Sequence, residues 1–354
     1  MSQTAGALNV RIGAPVAGRA LFVDRDGTLF AARGYRLLRS TDAGVTWVAD
    51  GQLPESAWPG VAARSRLAAR LLRRQVVALT VLDDGTRVAV GREGIFRAGR
   101  GESRFELTFR VERGSRPLHL AVDRRNGGER ILFGEYGELG GEEVRIYASD
   151  DGGRSFAVAF AFPRGEIRHV HNLIPDGDRL WVLCGDYGAQ AGIGSLSSGF
   201  ERLDAFEWLR RGEQSYRAVG ALLSRDALTY GTDSDRERNF IVRLEKESGR
   251  LTRLLEVEGS SLAATSFGPL QLIATCVEPN PQCPSTQASL YGSLDGERWA
   301  RLAAYRKDAW HPTLFQFGAI VLPGSRWPEP RGHFSGQALR GFDDRLATLA
   351  LAPG

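Results

Sequence analysis

The chain has 354 residues, of which 42% are hydrophobic, 25% charged and 9% aromatic, and its formal net charge is +4. This composition is typical of a soluble globular protein and excludes disordered, collagen-like and coiled-coil chains. The basic residues are spread along the chain among 42 acidic ones, which argues against the clustered basic stripe of a nucleic-acid-binding protein.

No segment of the sequence predicts a membrane span or a secretory signal. No run approaches the roughly 18 apolar residues that cross a bilayer, and the first residues lack the basic and apolar parts of a leader. We therefore expect a cytoplasmic protein. The three cysteines, Cys184, Cys276 and Cys283, match no zinc spacing, so we expect reduced thiols, with a Cys276–Cys283 bridge as the alternative.

Apolar, β-branched segments recur along the chain at intervals of 42 to 57 residues. They begin at Arg19, Val76, Leu118, Arg168, Tyr216, Ser261 and Leu314. Most are followed by a short turn and a second strand, and the interval is that of a four-stranded blade. The pattern predicts an all-β fold, a seven-bladed β-propeller formed by residues 1–354 as a single domain. The last blade lacks a fourth strand, and we expect residues 7–13 to complete it and close the ring.

One segment interrupts the strands. Residues 55–75 carry apolar residues at helical spacing with arginines between them, and they predict a helical insertion between the first and second blades. We interpret it as a solvated helix in a groove between blades, with a basic lid as the alternative.

A turn sequence repeats within the chain. Residues 40–47 and 149–156 share the pattern S-x-D-x-G-x-[ST]-aromatic, and residues 293–299 repeat it with one residue deleted. In such a turn the Asp side chain accepts backbone N–H groups, and Gly supplies a positive φ. The motif resembles the Asp-box, or BNR, repeat of sialidase-like β-propellers.

Propeller geometry predicts which polar residues share a face. Loops between blades, and loops between second and third strands, emerge opposite the Asp-box turns. The residues predicted on that face are Glu135, Tyr136, His169, His171, Asp186, Tyr187, Arg217, Asp233, Asp235 and His311. Because three of the five histidines fall there, this face is the candidate site.

Metal binding is one interpretation of these side chains. His169 and His171 are two apart on a strand, so their side chains point the same way. Carboxylates from Glu135, Asp186, Asp233 or Asp235 would complete a nitrogen and oxygen set that suits Mn, Zn or Ca. The alternative is that these carboxylates satisfy the two imidazoles without a metal. Arg217 would either clamp an acidic sugar or pair with a neighbouring Asp.

The resemblance to sialidase-like propellers implies a carbohydrate-active protein that binds an oligo- or polysaccharide at the centre of this face. In a glycoside hydrolase, Glu135, Asp186 and Asp233 would supply the acid and base or nucleophile. In a metal-dependent polysaccharide lyase, His169 or His171 would abstract the C5 proton of a uronate. The residues expected to bind substrate are Tyr136, Tyr187, Arg217, Asp235 and His311. The third hypothesis is a non-catalytic binding or assembly scaffold.

Overall fold

The computed structural model describes residues 8–54, 65–125, 127–139, 141–198 and 203–352. The fold is all-β, and its antiparallel sheets follow one another along the chain in a β-propeller arrangement. The strands fall into two compact units. The first unit contains Met1–Arg33, Leu38–Val48 and Gly220–Gly354, and the second contains Gly34–Leu37 and Ala49–Val219. None of the described helices is long and apolar enough to cross a membrane.

The second unit contains three four-stranded antiparallel sheets whose strands pair in chain order. The strands are β7 (Ala78–Val81), β8 (Arg87–Val90), β9 (Gly94–Ala98) and β10 (Glu106–Arg110); β11 (Ala121–Asp123), β12 (Arg130–Gly134), β13 (Val144–Ser149) and β14 (Ala157–Phe162); and β15 (His169–Asp176), β16 (Arg179–Gly185), β17 (Gly192–Ser198) and β18 (Leu203–Arg211). Helix α1 (Arg66–Leu71) precedes them, and 3₁₀ helices lie at Gly188–Gln190 and Gln214–Tyr216.

The first unit contains a four-stranded sheet and a nine-stranded sheet. The strands of the smaller sheet are β19 (Ala221–Leu223), β20 (Ala227–Gly231), β21 (Asn239–Glu245) and β22 (Leu251–Val257). The larger sheet contains β23 (Ser261–Phe267), β24 (Leu270–Val277), β25 (Gln287–Ser293), β26 (Ala300–Arg306), β27 (Gly318–Val321), β29 (Arg331–Gln337) and β30 (Arg345–Leu351), with β1 (Val10–Ile12) and β2 (Val16–Ala17).

The remaining elements complete the chain. Strand β3 (Arg19–Val23) pairs with β4 (Leu29–Arg33) and with β28 (Gly324–Ser325), all in the first unit. Strands β5 (Arg36–Ser40) and β6 (Val48–Gln52) contribute residues to both units, and helix α2 (Pro312–Phe315) precedes β27. The predicted pairing of the N-terminal strand with the last strand is present, because Val10 lies opposite Leu351 and Ile12 opposite Leu349.

The core of the second unit explains why β15 and β16 are fixed in place. Val170 and Leu173 of β15 pack in one buried cluster with Leu180 and Val182 of β16 and Leu132 of the preceding sheet. Both faces of β16 are covered, so its sequence is a continuous apolar run rather than an alternation. This packing sets the ends of the two strands, where the candidate site lies.

The predicted turns form their expected hydrogen bonds. The carboxylate of Asp151 accepts hydrogen bonds from the backbone N–H of Arg154 and Ser155 at 2.9 and 3.0 Å and from the Ser155 hydroxyl at 2.6 Å. Asp42 makes the equivalent contacts to residues 45 and 46, and Asp295 accepts from residues 297 and 298. Gly153, which has a φ of +82°, donates its N–H to the hydroxyl of Ser149. The turn chemistry is therefore a property of the local sequence.

The strand prediction was wrong at the start of the last predicted blade. Leu314 lies in α2 and β27 begins at Gly318, whereas the pattern placed a strand from 314. Pro312 stands at the first turn of the helix, where its fixed φ favours helix and its missing N–H costs nothing. A local apolar run therefore does not distinguish a short helix from a strand.

The helical insertion is shorter than predicted within the described residues. Ser65 caps α1 by accepting a hydrogen bond from the N–H of Ala68, and the helix ends at Leu71. Arg73 has a φ of +56°, which is incompatible with a continued α-helix, so residues 72–75 are not helical. The prediction for residues 55–64 lies outside the described residues. None of the three cysteines forms a disulfide, as the prediction of reduced thiols expected.

Candidate functional site

The register of one strand pair brings His169, His171 and Asp186 together. Strands β15 and β16 are antiparallel, and His169 lies opposite Gly185, so Asp186 follows directly beside the start of β15. The register shifts between Val170 and Asn172, which places His171 at a β-bulge. Bulges re-aim side chains and are common beside functional sites. As a result, the imidazoles of both histidines reach the same carboxylate.

Three ligand-type atoms face one another in this cluster. The Nε2 atoms of His169 and His171 are 3.0 Å apart, and each is 3.2 Å from Oδ1 of Asp186. These three residues form the one group of His, Cys, Asp or Glu side chains in the described chain that has the spacing to hold a metal ion. The prediction that the two histidines and Asp186 share a site agrees with this geometry.

The outer nitrogens of both imidazoles contact backbone carbonyls. Nδ1 of His169 lies 3.0 Å from the carbonyl oxygen of Gly137, and Nδ1 of His171 lies 2.8 Å from that of Ala218. A carbonyl oxygen can only accept, so each Nδ1 carries the hydrogen. In the neutral rings both Nε2 atoms then carry lone pairs, and these point at each other and at a carboxylate oxygen. One shared proton would satisfy one of the three contacts, whereas a cation would satisfy all three.

Burial makes this arrangement electrostatically demanding. His169 and His171 are each 3% exposed, and the side chain of Asp186 is 16% exposed. Burial lowers the pKa of His171, and the neighbouring His169 lowers it further, against the opposing effect of Asp186. Burial alone would raise the pKa of Asp186, but the contacts of its carboxylate with the two imidazoles hold that pKa below its ordinary value. The cluster therefore presents an ionised carboxylate beside the buried imidazole of His171, whose pKa is lowered.

Gly185 is the residue that allows the imidazoles to approach β16. A Cβ at this position would lie 2.3 Å from both Cε1 and Nε2 of His171 and 3.0 Å from Nε2 of His169. No side chain can occupy that space without displacing a ring. The absent side chain is therefore part of the site.

Two arginines flank the carboxylate. The guanidinium of Arg217 lies 3.5 Å from Oδ1 of Asp186, and that of Arg168 lies 3.6 Å from Oδ2. Both guanidinium groups lie over the ring of Tyr187, at 5.3 and 5.6 Å from its centroid. Arg168 also pairs with Glu138, whose side chain is exposed. Arg217 is buried, so it is positioned rather than solvated. The structure thus brings Arg217 and Tyr187 to the cluster, as predicted.

Aromatic and imidazole rings line the other side of the cluster. The ring of Tyr136 packs against His169 with centroids 4.6 Å apart and lies 6.1 Å from His171. Burial, and to a smaller extent the nearby His171, lowers the pKa of His119 to about 4, so His119 is neutral at pH 7. Tyr136 was predicted to bind substrate, and its place beside His169 is consistent with that prediction.

Glu135 does not face the cluster, although it is adjacent to Tyr136 in sequence. Its carboxylate accepts hydrogen bonds from Nε and Nη2 of Arg113, at 3.1 and 2.5 Å, and from the backbone N–H of Arg145 at 2.9 Å. Successive residues of an extended chain point to opposite sides, so Tyr136 and Glu135 cannot both reach the imidazoles. The geometry gives Glu135 a structural ion pair.

The other predicted site residues belong to the first unit. Asp233 is buried directly after β20, Asp235 is partly buried two residues later, and His311 is exposed at the start of α2. The segment that carries Asp233 and Asp235 is organised around Asn239, whose side chain forms hydrogen bonds with Thr232 and with the backbone of Ser234. Their participation in the same site stays a prediction.

Sequence reasoning missed two residues of the site. Gln214 donates a hydrogen bond of 2.8 Å from its side chain to the carbonyl oxygen of Asp186, which fixes the backbone that carries the carboxylate. Gly185 provides space for the imidazoles. A glycine directly before a candidate acidic ligand was a usable signal for Gly185, because glycine at a strand end often marks a close approach. Nothing in the sequence pattern indicates Gln214.

Comparison with known proteins gives a fold but no family. No known protein family matches the sequence, and no curated protein matches it. A chain in the crystal structure of a mitotic checkpoint complex aligns over 100% of this chain and 98% of its own length, with a TM-score of 0.59 and 10% identity. An ancestral GH74 enzyme aligns over 87% of this chain and 41% of its own, with a TM-score of 0.53 and 14% identity.

A third similar structure is a chain from a nidogen/laminin complex. It aligns over 84% of this chain and 97% of its own length, with a TM-score of 0.50 and 14% identity. At such identities the likeness shows a shared propeller-like fold and nothing about activity.

Proposed function

We propose that this chain is a carbohydrate-active, metal-dependent enzyme whose divalent metal is held by His169, His171 and Asp186. The observation that carries the proposal is the meeting of two Nε2 lone pairs and a carboxylate oxygen within 3.0 to 3.2 Å, with both Nδ1 atoms bonded to carbonyls. Metal-ligating histidines are usually oriented by such a bond from the other ring nitrogen. Catalytic metal sites commonly have three protein ligands, which leaves coordination positions open for substrate.

The distances between the ligand atoms suit a transition metal. For a metal–ligand distance of about 2.1 Å, neighbouring ligand atoms are about 3.0 Å apart in an octahedron and about 3.4 Å apart in a tetrahedron. The observed separations of 3.0, 3.2 and 3.2 Å lie in this interval. Two nitrogen ligands favour Mn or Zn over Ca, because Ca is bound by oxygen.

The charge around the metal selects an anionic substrate. Arg168 and Arg217 contribute two positive charges, and Asp186 and Glu138 contribute two negative ones. These side chains sum to zero, so a divalent ion leaves a net charge of +2 in a largely buried site. An acidic sugar would balance it: its carboxylate would occupy an open metal position and contact Arg217 and Arg168.

Elimination from a uronate agrees with the site better than hydrolysis by two carboxyl groups. A general acid needs a raised pKa, whereas that of Asp186 is lowered, and Glu135 is held by Arg113. In an elimination, a metal held by His169, His171 and Asp186 would neutralise the uronate carboxylate. The C5 proton would pass to water, the C4–O4 bond would break, O4 would leave as a hydroxyl group after taking a proton from solvent, and a C4–C5 double bond would form. His169 and His171, which were predicted as bases, have both ring nitrogens committed, so we assign them as ligands.

The finer architecture is also a proposal. Seven blades closed by the N-terminal strand are supported by the order β27-β29-β30-β1 within one sheet, which supplies four strands to a last blade. Membership of the sialidase-like Asp-box propellers is supported by the three turns with Asp42, Asp151 and Asp295. The similarity to an ancestral GH74 enzyme is compatible with a carbohydrate substrate.

Metal binding is the first test. Chelator-treated protein is titrated with Mn and Zn by calorimetry, beside the double variant His169→Ala/His171→Ala and the control Asp178→Ala, which removes a fully exposed side chain. We expect one metal per chain in the wild type and the control, and affinity weaker by at least roughly 100-fold in the double variant. Absence of binding to the wild type, or equal binding in the double variant, would refute the metal site.

Activity is the second test. Wild-type protein with the better-bound metal is incubated with polygalacturonate, alginate and a glucuronan while the ultraviolet absorbance of unsaturated products is followed. We expect a metal-dependent rise with one of these substrates that Asp178→Ala retains and the double variant loses. If the protein binds metal but neither cleaves nor binds any acidic glycan, the enzymatic proposal is contradicted and the scaffold hypothesis is favoured.

A further inference from the structure

A second pocket lies in the first unit, and none of its residues belongs to the metal cluster. It has a volume of about 560 Å³ and is formed by the loop between β24 and β25 and the segment between β26 and α2. We call it the Trp310 pocket. Its apolar lining comes from Val277, Pro279, Pro284, Trp310 and Pro312. The polar residues at its edge include Glu278, Thr286 and Asp308.

The loop after β24 is held in its conformation before any ligand binds. The side chain of Asn280 donates to the carbonyl oxygens of Ser234 and Glu237, both at 2.8 Å, and accepts from the N–H of Gln282 and Cys283. Three prolines between 279 and 284 further restrict this segment. A pocket built from such a loop loses little entropy on binding.

The aromatic wall is also fixed. The ammonium of Lys307 donates to the carbonyl oxygen of Trp310 at 2.9 Å and pairs with Asp308, which in turn accepts the N–H of Trp310 at 3.1 Å. The indole packs against Phe315 with ring centroids 5.2 Å apart. Even so, Trp310 is 48% exposed. A rigidly supported and half-exposed indole is an energetic cost unless something covers it.

We propose that the Trp310 pocket binds a neutral sugar unit of an oligosaccharide, with the apolar face of the ring stacked on the indole. A pyranose has an apolar face of C–H groups and a rim of hydroxyls, and the pocket has an indole wall with hydroxyl and carboxylate acceptors at its edge. The acidic and basic residues that line the pocket are Glu278, Lys307 and Asp308, so the formal net charge of its lining is −1. This charge disfavours the acidic sugars that the metal site would select.

A proline-rich peptide is the competing occupant. Such peptides bind grooves lined by several exposed aromatic rings. Trp310 is the one Trp, Tyr or Phe residue that lines this pocket, and the other apolar residues of the lining are valine, alanine and proline. A single aromatic platform with acceptors around it fits one sugar ring better than an extended helix of prolines.

The test uses the full-length chain and calorimetry with the β-1,4 tetraoses of glucose, xylose and mannose and the α-1,4 tetraose of glucose. Concentrations reach about 10 mM, at which a Kd of about 1 mM is still detected. Trp310→Ala is compared with Leu314→Ala, a matched control that removes an exposed apolar side chain of α2 that does not line the pocket. We expect one tetraose to bind the wild type and Leu314→Ala equally, and Trp310→Ala at least roughly tenfold more weakly.

Two outcomes would overturn the proposal. The first is that none of the tetraoses binds, or that Trp310→Ala binds as well as the wild type. The second is that a decaproline peptide binds the wild type and Leu314→Ala but not Trp310→Ala, which would assign the pocket to peptides. The double variant His169→Ala/His171→Ala should bind the tetraose as the wild type does, so this result is independent of the metal proposal. Trp310→Phe, which keeps an aromatic face, should restore part of the affinity and so exclude misfolding as the cause.

Discussion

Replacing Gly185 with alanine tests the geometry of the proposed metal site while His169, His171 and Asp186 all remain in the sequence. The Cβ of alanine would lie 2.3 Å from Cε1 and Nε2 of His171, whereas ordinary contacts of this kind are about 3.4 Å or more. The imidazole must therefore move by roughly 1 Å. Metal sites tolerate deviations of about 0.2 Å in ligand distance, so His171 would leave the set of ligands.

The expected effect is large on metal affinity and moderate on stability. Loss of one of three ligands should weaken Mn or Zn binding by at least roughly 100-fold, which corresponds to about 2.7 kcal/mol. Crowding in a packed site should lower the free energy of unfolding by about 1–3 kcal/mol. Backbone strain does not contribute, because Gly185 does not have a positive φ.

The assay is calorimetric titration of chelator-treated protein, with thermal unfolding measured on the same samples. Gly13→Ala is the matched control, because a Cβ there would meet no atom closer than 3.6 Å and its φ is likewise not positive. We expect the control to bind metal like the wild type. If Gly185→Ala is folded and binds metal with unchanged affinity, the close approach of the imidazoles is not required and the reasoning fails.

Two further predictions concern the turns and the thiols. Asp151→Asn should lower the free energy of unfolding by about 1 kcal/mol, against no change for the fully exposed Asp178→Asn, measured by chemical denaturation. Partial burial raises the pKa of Asp151, but hydrogen bonds from Ser155 outweigh it and lower the pKa to about 2. The stabilising contribution is therefore complete above the unfolded pKa of about 4 and is lost as the pH falls through about 2; a difference between wild type and Asp151→Asn that persists unchanged at pH 2 would contradict this. Cys283, which is partly buried, should react with a thiol reagent before the fully buried Cys184, and mass mapping that finds Cys184 labelled first would show the opposite.

Much of the fold could be predicted because its signals are local. The first strands predicted at Arg19 and Ser261 begin at those residues, and that predicted at Arg168 begins at His169. The alternation of apolar residues and the turns with Asp and Gly can each be recognised from a few consecutive residues, because a strand in a hairpin and a tight turn form their hydrogen bonds with residues close in the chain. Leu314 shows the limit, since a proline two residues earlier favoured a helix over the apolar run.

The candidate site was only partly readable from the sequence. The spacing of His169 and His171 and the chemistry of Asp186 indicated a shared direction, which the structure bears out. Glu135 was placed with them because of its neighbours in the chain, yet Arg113 holds it elsewhere. Sequence spacing fixes the side of a strand to which a residue belongs, but it does not reveal a nearby arginine from a distant strand.

The sequence by itself determined the all-β pattern, the hydrogen-bonded turns and the shared side of His169 and His171. Tertiary structure alone decided that the Nε2 atoms face one another, that Gly185 leaves room for them, and that Gln214 anchors the backbone of Asp186. The physical reason is the range of the interactions. Propensity and turn chemistry act between neighbours in the chain, whereas metal-binding geometry requires atoms from separate strands to meet within a few tenths of an ångström, and only packing of the core sets that distance.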